Sequence, residues 1–144
     1  MKVGILGGGV WGSALAKLLS KNKVIIFTRD KKVVQSINDH RFNPKLKYVV
    51  FNDNVTATND LNILQDMEYV FIALPSQHIR DVITQLKSKY TNQEVIIASK
   101  GIEIKSGLFL SSVIIDTGYS KNVSILSGPC FSDEVAQSLP TAVT

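Results

Sequence analysis

Lys2-Val3-Gly4-Ile5-Leu6, a stretch with the make-up of a buried strand, runs directly into Gly7-Gly8-Gly9-Val10-Trp11-Gly12. Apolar residues at 11, 14, 15, 18 and 19 then mark one face of a helix over Val10 to Leu19. Gly7-x-Gly9-x-x-Gly12 by itself is a weak pattern, because many such matches are plain turns. Between a strand and a helix inside a β-α-β unit it becomes a phosphate-binding turn. There the first glycine makes the sharp turn and the second lets backbone amides approach a pyrophosphate. The third lets helix and strand pack closely, and the helix N-terminus adds partial positive charge. A dinucleotide is the ligand such a turn implies.

The rest of the chain keeps the same alternation, which is the pattern of a parallel sheet covered on both faces. Strands are predicted at Val24 to Thr28, Val55 to Thr58, Tyr69 to Leu74, Glu94 to Ala98 and Val123 to Leu126. Asp30 is placed to cap a helix whose inner face is Val33, Val34 and Ile37. Asp60 to Leu64 reads as a short helix. Pro75 stops a strand, Ser76 is placed to cap the next helix, and Ile79, Val82, Ile83 and Leu86 form that helix's stripe. Leu108 to Ile115 is predicted helical, with Gly118 ending it. His40 to Asn54 reads as a loop in which "YVVF" could pair briefly. The expected fold is a doubly wound α/β sheet of the Rossmann type, in one domain over 1–144. "PTAVT" at the end is β-like and reads either as a frayed terminal strand or as an element cut off within a longer protein.

Net charge is +4, but Lys17, Lys21, Lys23, Lys31, Lys32, Lys45, Lys47, Lys87 and Lys89 are scattered, and no run exceeds two. That suits a solvated surface or a field that attracts a small anion, and it argues against nucleic acid as a partner. One cysteine, Cys130, excludes an internal disulfide and fits a reducing compartment. No leader pattern and no apolar run near the ~20 residues of a membrane span are present, so a cytoplasmic protein with no membrane partner is expected. His40 and His78 stand alone, and no metal site is expected.

At the end of the second strand, where an acid would hold a ribose 2′-hydroxyl, stands Thr28-Arg29-Asp30. Arg29 falls where a guanidinium could clamp a 2′-phosphate, which favours NADP, and Asp30 keeps NAD open. The plainer alternative is a surface arginine and a helix cap.

Four further stretches carry a resemblance. "GGGVWGSALA" (7–16), "LPSQ" (74–77), "SKGIE" (99–103) and "SGPCFSDEVAQSLPTA" (127–142) follow one another at the ends of successive strands, with "NPK" (43–45) and "ATNDL" (57–61) between them. Together they closely resemble the N-terminal domain of bacterial NAD(P)-dependent glycerol-3-phosphate dehydrogenase, whose pattern reads GAGAWGTALA, V/I-P-S, KGIE and SGPSFAxEVAxxxPTA. Three departures stand out. Cys130 replaces the usual Ser or Thr, Ser132 replaces the usual Ala, and the loop after "NPK" lacks Tyr-Leu-Pro. The resemblance implies interconversion of dihydroxyacetone phosphate and sn-glycerol 3-phosphate with NADP or NAD, feeding phospholipid synthesis. A homodimer is compatible with it for the longer protein. The turn and the end of the second strand put Gly7, Gly9, Val10, Gly12, Arg29 and Asp30 at the cofactor; the resemblance implies Trp11, Lys100 and Ser132 as further cofactor contacts and Lys100, Gly128 and Cys130 as substrate contacts. The family's catalytic lysine, and the groups that grip the substrate phosphate, belong to a second, all-helical domain without counterpart in these residues. No catalytic residue is therefore expected here, and the chain alone is expected to bind cofactor without turning substrate over.

Trp11 is expected either to wall the nicotinamide side of the pocket or to pack on Leu15. Lys100 reads as a cation at the ligand edge, or as a solvated lysine at a strand end. Glu103 reads as a turn residue. Gly128-Pro129-Cys130 is expected to begin a helix, and Cys130 need not be a nucleophile, since hydride transfer uses none. Two other readings stay open: the cofactor domain of another two-domain NAD(P)-dependent dehydrogenase, and a nucleotide-sensing module without catalysis.

Overall fold

In a computed structural model describing residues 1–86 and 92–144, strands β1 (Lys2–Leu6), β2 (Lys23–Phe27), β3 (Val55–Thr58), β4 (Tyr69–Ile72), β5 (Glu94–Ile97) and β6 (Val123–Ile125) form one sheet. Its order is β3-β2-β1-β4-β5-β6 and every pairing is parallel. The order reverses between β1 and β4, which makes the crevice beyond their carboxyl ends the natural ligand site of such a sheet. Among the described residues, helices α1 (Val10–Leu18), α2 (Lys31–His40), α3 (Ile79–Ile83), α4 (Leu110–Asp116) and α5 (Ser132–Ala136) accompany the sheet, with 3₁₀ turns at Leu61–Asp66 and Ser76–His78. Lys87 and Lys89 lie outside the described residues.

Successive residues of a strand face opposite sides, and a sheet covered on both faces needs apolar residues at nearly every position. In β1, Val3 and Ile5 join the layer of α1, α2 and α5, while Leu6 joins the layer of α3 and α4. Asp30 caps α2 as expected, its Oδ1 accepting the N–H groups of Lys32 at 3.1 Å and Val33 at 3.4 Å. Val33 and Ile37 are buried, as are Ile79, Val82, Ile83 and Leu86 of the α3 stripe. Among the described residues no helix is long and apolar enough to cross a membrane.

Several expectations need correction. "YVVF" joins no strand. Val49 and Phe51 point inward and Tyr48 and Val50 outward, as in a strand, but the segment plugs the α1–α2 layer beside Leu46. Leu18, expected on the inner face of α1, is 57% exposed. The helix instead buries the whole run Gly12 to Ala16, because α5 and the 43–51 loop cover sides that the sheet does not. Ser76 caps no helix: its Oγ accepts from Gln77 Nε2, and a 3₁₀ turn intervenes before α3. Cys130 does not begin a helix, since α5 starts at Ser132. The terminal "PTAVT" run forms no strand, although Thr144 and Ser127 exchange two backbone hydrogen bonds of 2.7 and 2.8 Å. Strands β4, β5 and β6 end one or two residues before their apolar runs do. Ala73, Leu74, Ala98 and Leu126, just past those ends, line the crevice described next.

Candidate functional site

β1 delivers the glycine turn to the reversal point of the sheet. Gly7 has φ +133°, and a Cβ there would lie 2.4 Å from the Ala73 carbonyl oxygen. A Cβ on Gly12 would lie 1.9 Å from the Gly7 carbonyl oxygen, so helix and strand can approach this closely only at glycine. A Cβ on Gly9 would meet nothing within 4 Å. The space above Gly9 is where a phosphate can approach the first-turn amides of α1, which have no acceptor within the helix. The three glycines thus differ as a dinucleotide turn requires. Asn43, fully buried, braces the turn from behind: its Nδ2 donates to Gly8 O at 3.1 Å and to Ser13 Oγ at 2.7 Å.

Three adjoining cavities form a trench along the carboxyl edge. The first, of 330 Å³, lies between the glycine turn, Thr28-Arg29-Asp30, Lys45 and Pro75. The second, of 440 Å³, shares Gly9, Ala73, Leu74 and Pro75 with it and adds Val10, Trp11, Lys100, Cys130 and Ser132. The third, of 450 Å³, shares Trp11, Ala98, Ser99, Lys100 and Cys130 with the second and adds Gly101, Phe109 and Gly128. Every site residue expected from the sequence therefore lines the trench except Gly12, which lies beneath it as a packing residue.

Trp11 lies between the core and the trench. Its Nε1–H donates to the Ala98 carbonyl at the end of β5, at 2.9 Å, and the half-buried indole packs on the core while walling two cavities. The Ser99 hydroxyl is directed at the Ile72 and Leu74 carbonyls at 3.0 and 2.6 Å, and so ties the ends of β5 and β4 together. Lys100 follows, exposed, and no carboxylate among the described residues pairs with it.

The "LPSQ" and "SKGIE" stretches interlock behind this lysine. Gln77 donates Nε2–H to Ile102 O at 2.8 Å and accepts the Ile104 N–H at 2.9 Å. Glu103 is a turn residue, as expected. It is buried, and it accepts from Arg80 Nε at 2.9 Å, from a second Arg80 nitrogen at 2.9 Å and from Ser106 Oγ at 2.5 Å. Arg80 also reaches Asp116 at 2.6 Å, joining α3, α4 and the loop. The Arg80 guanidinium first, and Ser106 second, hold the Glu103 carboxyl below its ordinary value of 4.5. A carboxyl with a lower pKa folded than unfolded stabilises the fold above that ordinary value and loses the contribution as pH falls through the folded one. Thermal unfolding followed from pH 7 to pH 3 is therefore expected to show a loss below about 4.5 that flattens in Glu103→Gln. An unchanged profile in the variant would remove this network from the acid response.

Gly128 has a packing reason for being glycine, since a Cβ would lie 2.5 Å from Ala142 O. Cys130 and Ser132 are half-buried, and α5 is clasped to the 43–51 loop by a hydrogen bond from the Tyr48 hydroxyl to Asp133. Among the described residues no group of three His, Cys, Asp or Glu side chains could hold a metal ion. Gly8, Asn43, Lys45, Gln77, Arg80 and Ser99 were not read as site or supporting residues from the sequence. "NPK" and "LPSQ" contained three of them, but only the partners across the fold reveal what they do.

A family model described as "NAD-dependent glycerol-3-phosphate dehydrogenase N-terminus" matches residues 2–144. The chain is 37% identical over 144 residues to a glycerol-3-phosphate dehydrogenase [NAD(P)+] of Zymomonas mobilis, covering 99% of this chain and 42% of that protein. It is 41% identical over 147 residues to the protein of that name from Clostridium botulinum strain Eklund 17B, covering 99% and 44%. The crystal structure of glycerol-3-phosphate dehydrogenase from Coxiella burnetii superposes with a TM-score of 0.86 at 29% identity, over 99% of this chain and 45% of that one. The chain thus spans less than half the length of each of these three relatives.

Proposed function

Because the chain belongs to the family of the NAD-dependent glycerol-3-phosphate dehydrogenase N-terminus, we propose that it is the cofactor-binding part of an oxidoreductase interconverting dihydroxyacetone phosphate and sn-glycerol 3-phosphate. The observation that carries this reading is the row of adjoining cavities from Arg29, over the open face of Gly9, to Lys100 and Gly128. The turn fits a dinucleotide. Gly7 and Gly12 bring α1 to the sheet, and Gly9 leaves room for a pyrophosphate on the amides of Val10 and Trp11. Arg29 and Asp30 take the adenosine end, and Trp11, Lys100 and Ser132 take the nicotinamide end.

The nicotinamide, when bound, supplies the hydride chemistry. This chain's residues orient, exclude water and supply charge. Trp11, fixed to Ala98, presents its indole to the cavity. Lys100, on a loop held by Gln77 and Glu103, presents an ammonium to the phosphate or oxygen of a three-carbon substrate near Gly128 and Cys130. Protonation at the carbonyl oxygen falls to the part of the relatives outside the matched segment, so residues 1–144 bind cofactor without turnover. On this reading the activity supplies phospholipid synthesis in the cytoplasm.

Titration of the chain with NADPH and NADH, with an assay of dihydroxyacetone phosphate reduction, tests the reading. Both cofactors are expected to bind. Arg29→Ala should weaken NADPH by about 1.5–3 kcal/mol, the range for a charge-assisted contact, with little change for NADH. Equal losses would take Arg29 off the 2′-phosphate, and steady-state turnover by residues 1–144 would overturn the division of labour.

A further inference from the structure

Lys45 lines the same 330 Å³ cavity as Arg29 and the glycine turn, although it comes from the loop after α2 rather than from the strand–turn–helix unit. Its backbone is anchored. The Lys45 N–H donates to Asn43 Oδ1 at 3.0 Å, the next N–H, of Leu46, donates to Asn43 O at 2.8 Å, and Leu46 is buried. From this fixed base the half-exposed side chain places Nζ 4.0 Å from Asp30 Oδ2. The other oxygen of that carboxylate, Oδ1, accepts two N–H groups of α2 as its cap. Arg29 and Asp30 alone would leave this end of the trench with no net charge. Adding Lys45 makes it net positive, a difference that a ribose diol hardly senses and a phosphate senses strongly.

We propose that Lys45 is a second cation for the 2′-phosphate of NADP, held beside Asp30 when that phosphate is absent. The proposal rests on the reading of the trench as an NAD(P) site. An ion pair this exposed is weak, so a phosphate entering the cavity can draw the ammonium from Asp30 toward itself and Arg29. Toward NADP, which has no free 2′-hydroxyl, Asp30 acts as the helix cap and the resting partner of Lys45. The cofactor preference accordingly depends on a residue outside the glycine fingerprint.

The test compares NADPH and NADH affinities by direct titration of the wild-type chain and three variants. Lys45→Met is expected to weaken NADPH about tenfold or more, the loss of one charge-assisted contact, and NADH by less than about threefold. Lys45→Arg should restore most of the NADPH affinity. Asp30→Asn keeps the cap, because asparagine caps as well as aspartate, and should strengthen NADPH relative to NADH by removing the competing carboxylate. Equal loss of both cofactors in Lys45→Met, or no loss of NADPH, overturns the role of Lys45 while leaving the cofactor site standing. A wild-type chain that binds neither cofactor overturns the site itself.

Discussion

Gly12→Ala is expected to lose NADPH binding by roughly 100-fold or more, the scale of two lost charge-assisted contacts, and to unfold at lower temperature. The added methyl would sit 1.9 Å from the Gly7 carbonyl oxygen and 3.3 Å from Ile5 Cγ2. That carbonyl cannot swing aside easily. Gly7 is held at φ +133° with its N–H on the Phe27 carbonyl at 3.0 Å, and Ala73 closes the other side. α1 must therefore move off the sheet, at the cost of about 1–3 kcal/mol typical of an overpacked core, and its N-terminus moves with it. Gly9→Ala separates the two effects. Its φ of −84° suits alanine and its Cβ meets no protein atom within 4 Å, so stability should hold while NADPH binding falls. Thermal unfolding and cofactor titration on both variants decide the matter. Normal NADPH affinity in Gly9→Ala would mean that the open face of the turn does not receive a phosphate.

The second large effect is expected at Lys100. Lys100→Met removes an exposed ammonium that pairs with no carboxylate among the described residues, so the fold and the Gln77 and Glu103 contacts behind the loop should remain. In a chimera whose further residues come from one of the relatives, kcat/KM for dihydroxyacetone phosphate should fall by roughly 100-fold or more, as when a preorganised charge is lost at a reacting centre. NADPH affinity of residues 1–144 should fall only modestly, because the glycine turn and helix N-terminus still hold the pyrophosphate. Near-normal kcat/KM in the chimera would make Lys100 a solvated residue at a strand end and remove "SKGIE" from the active site.

The elements that sequence reading located are those whose causes act over a few residues. Alternating apolar runs located all six strands to within a residue or two, and a carboxylate at the start of α2 marked its cap. Glycine spacing between strand and helix marked the turn, and the order of "GGGVWG", "LPSQ", "SKGIE" and "SGPCF" marked one edge of the sheet. Periodicity failed at Leu18, and "YVVF", inside a segment rightly read as a loop, did not pair; at both what matters is which neighbour covers a surface, and that neighbour is remote in sequence. The ends of β4, β5 and β6 were overrun for a related reason: an apolar residue that lines a ligand crevice looks, in sequence, like one more strand residue.

Within the site, sequence determined which chemistry is present: a phosphate turn, an arginine after the second strand, a lysine and a glycine-proline turn at strand ends. Tertiary structure decided what each group faces. Trp11 meets Ala98 across 87 positions, Asn43 meets Gly8 across 35, and Gln77 grips Ile102 across 25. Lys45 joins Arg29 only because the 43–51 loop folds back over α1. Propensity, capping and turn angles are set by the energetics of neighbouring backbone units, so they can be read from a short window. A contact across the sheet exists only after strand order and packing have been chosen by burial of the whole core, and no short window contains that choice.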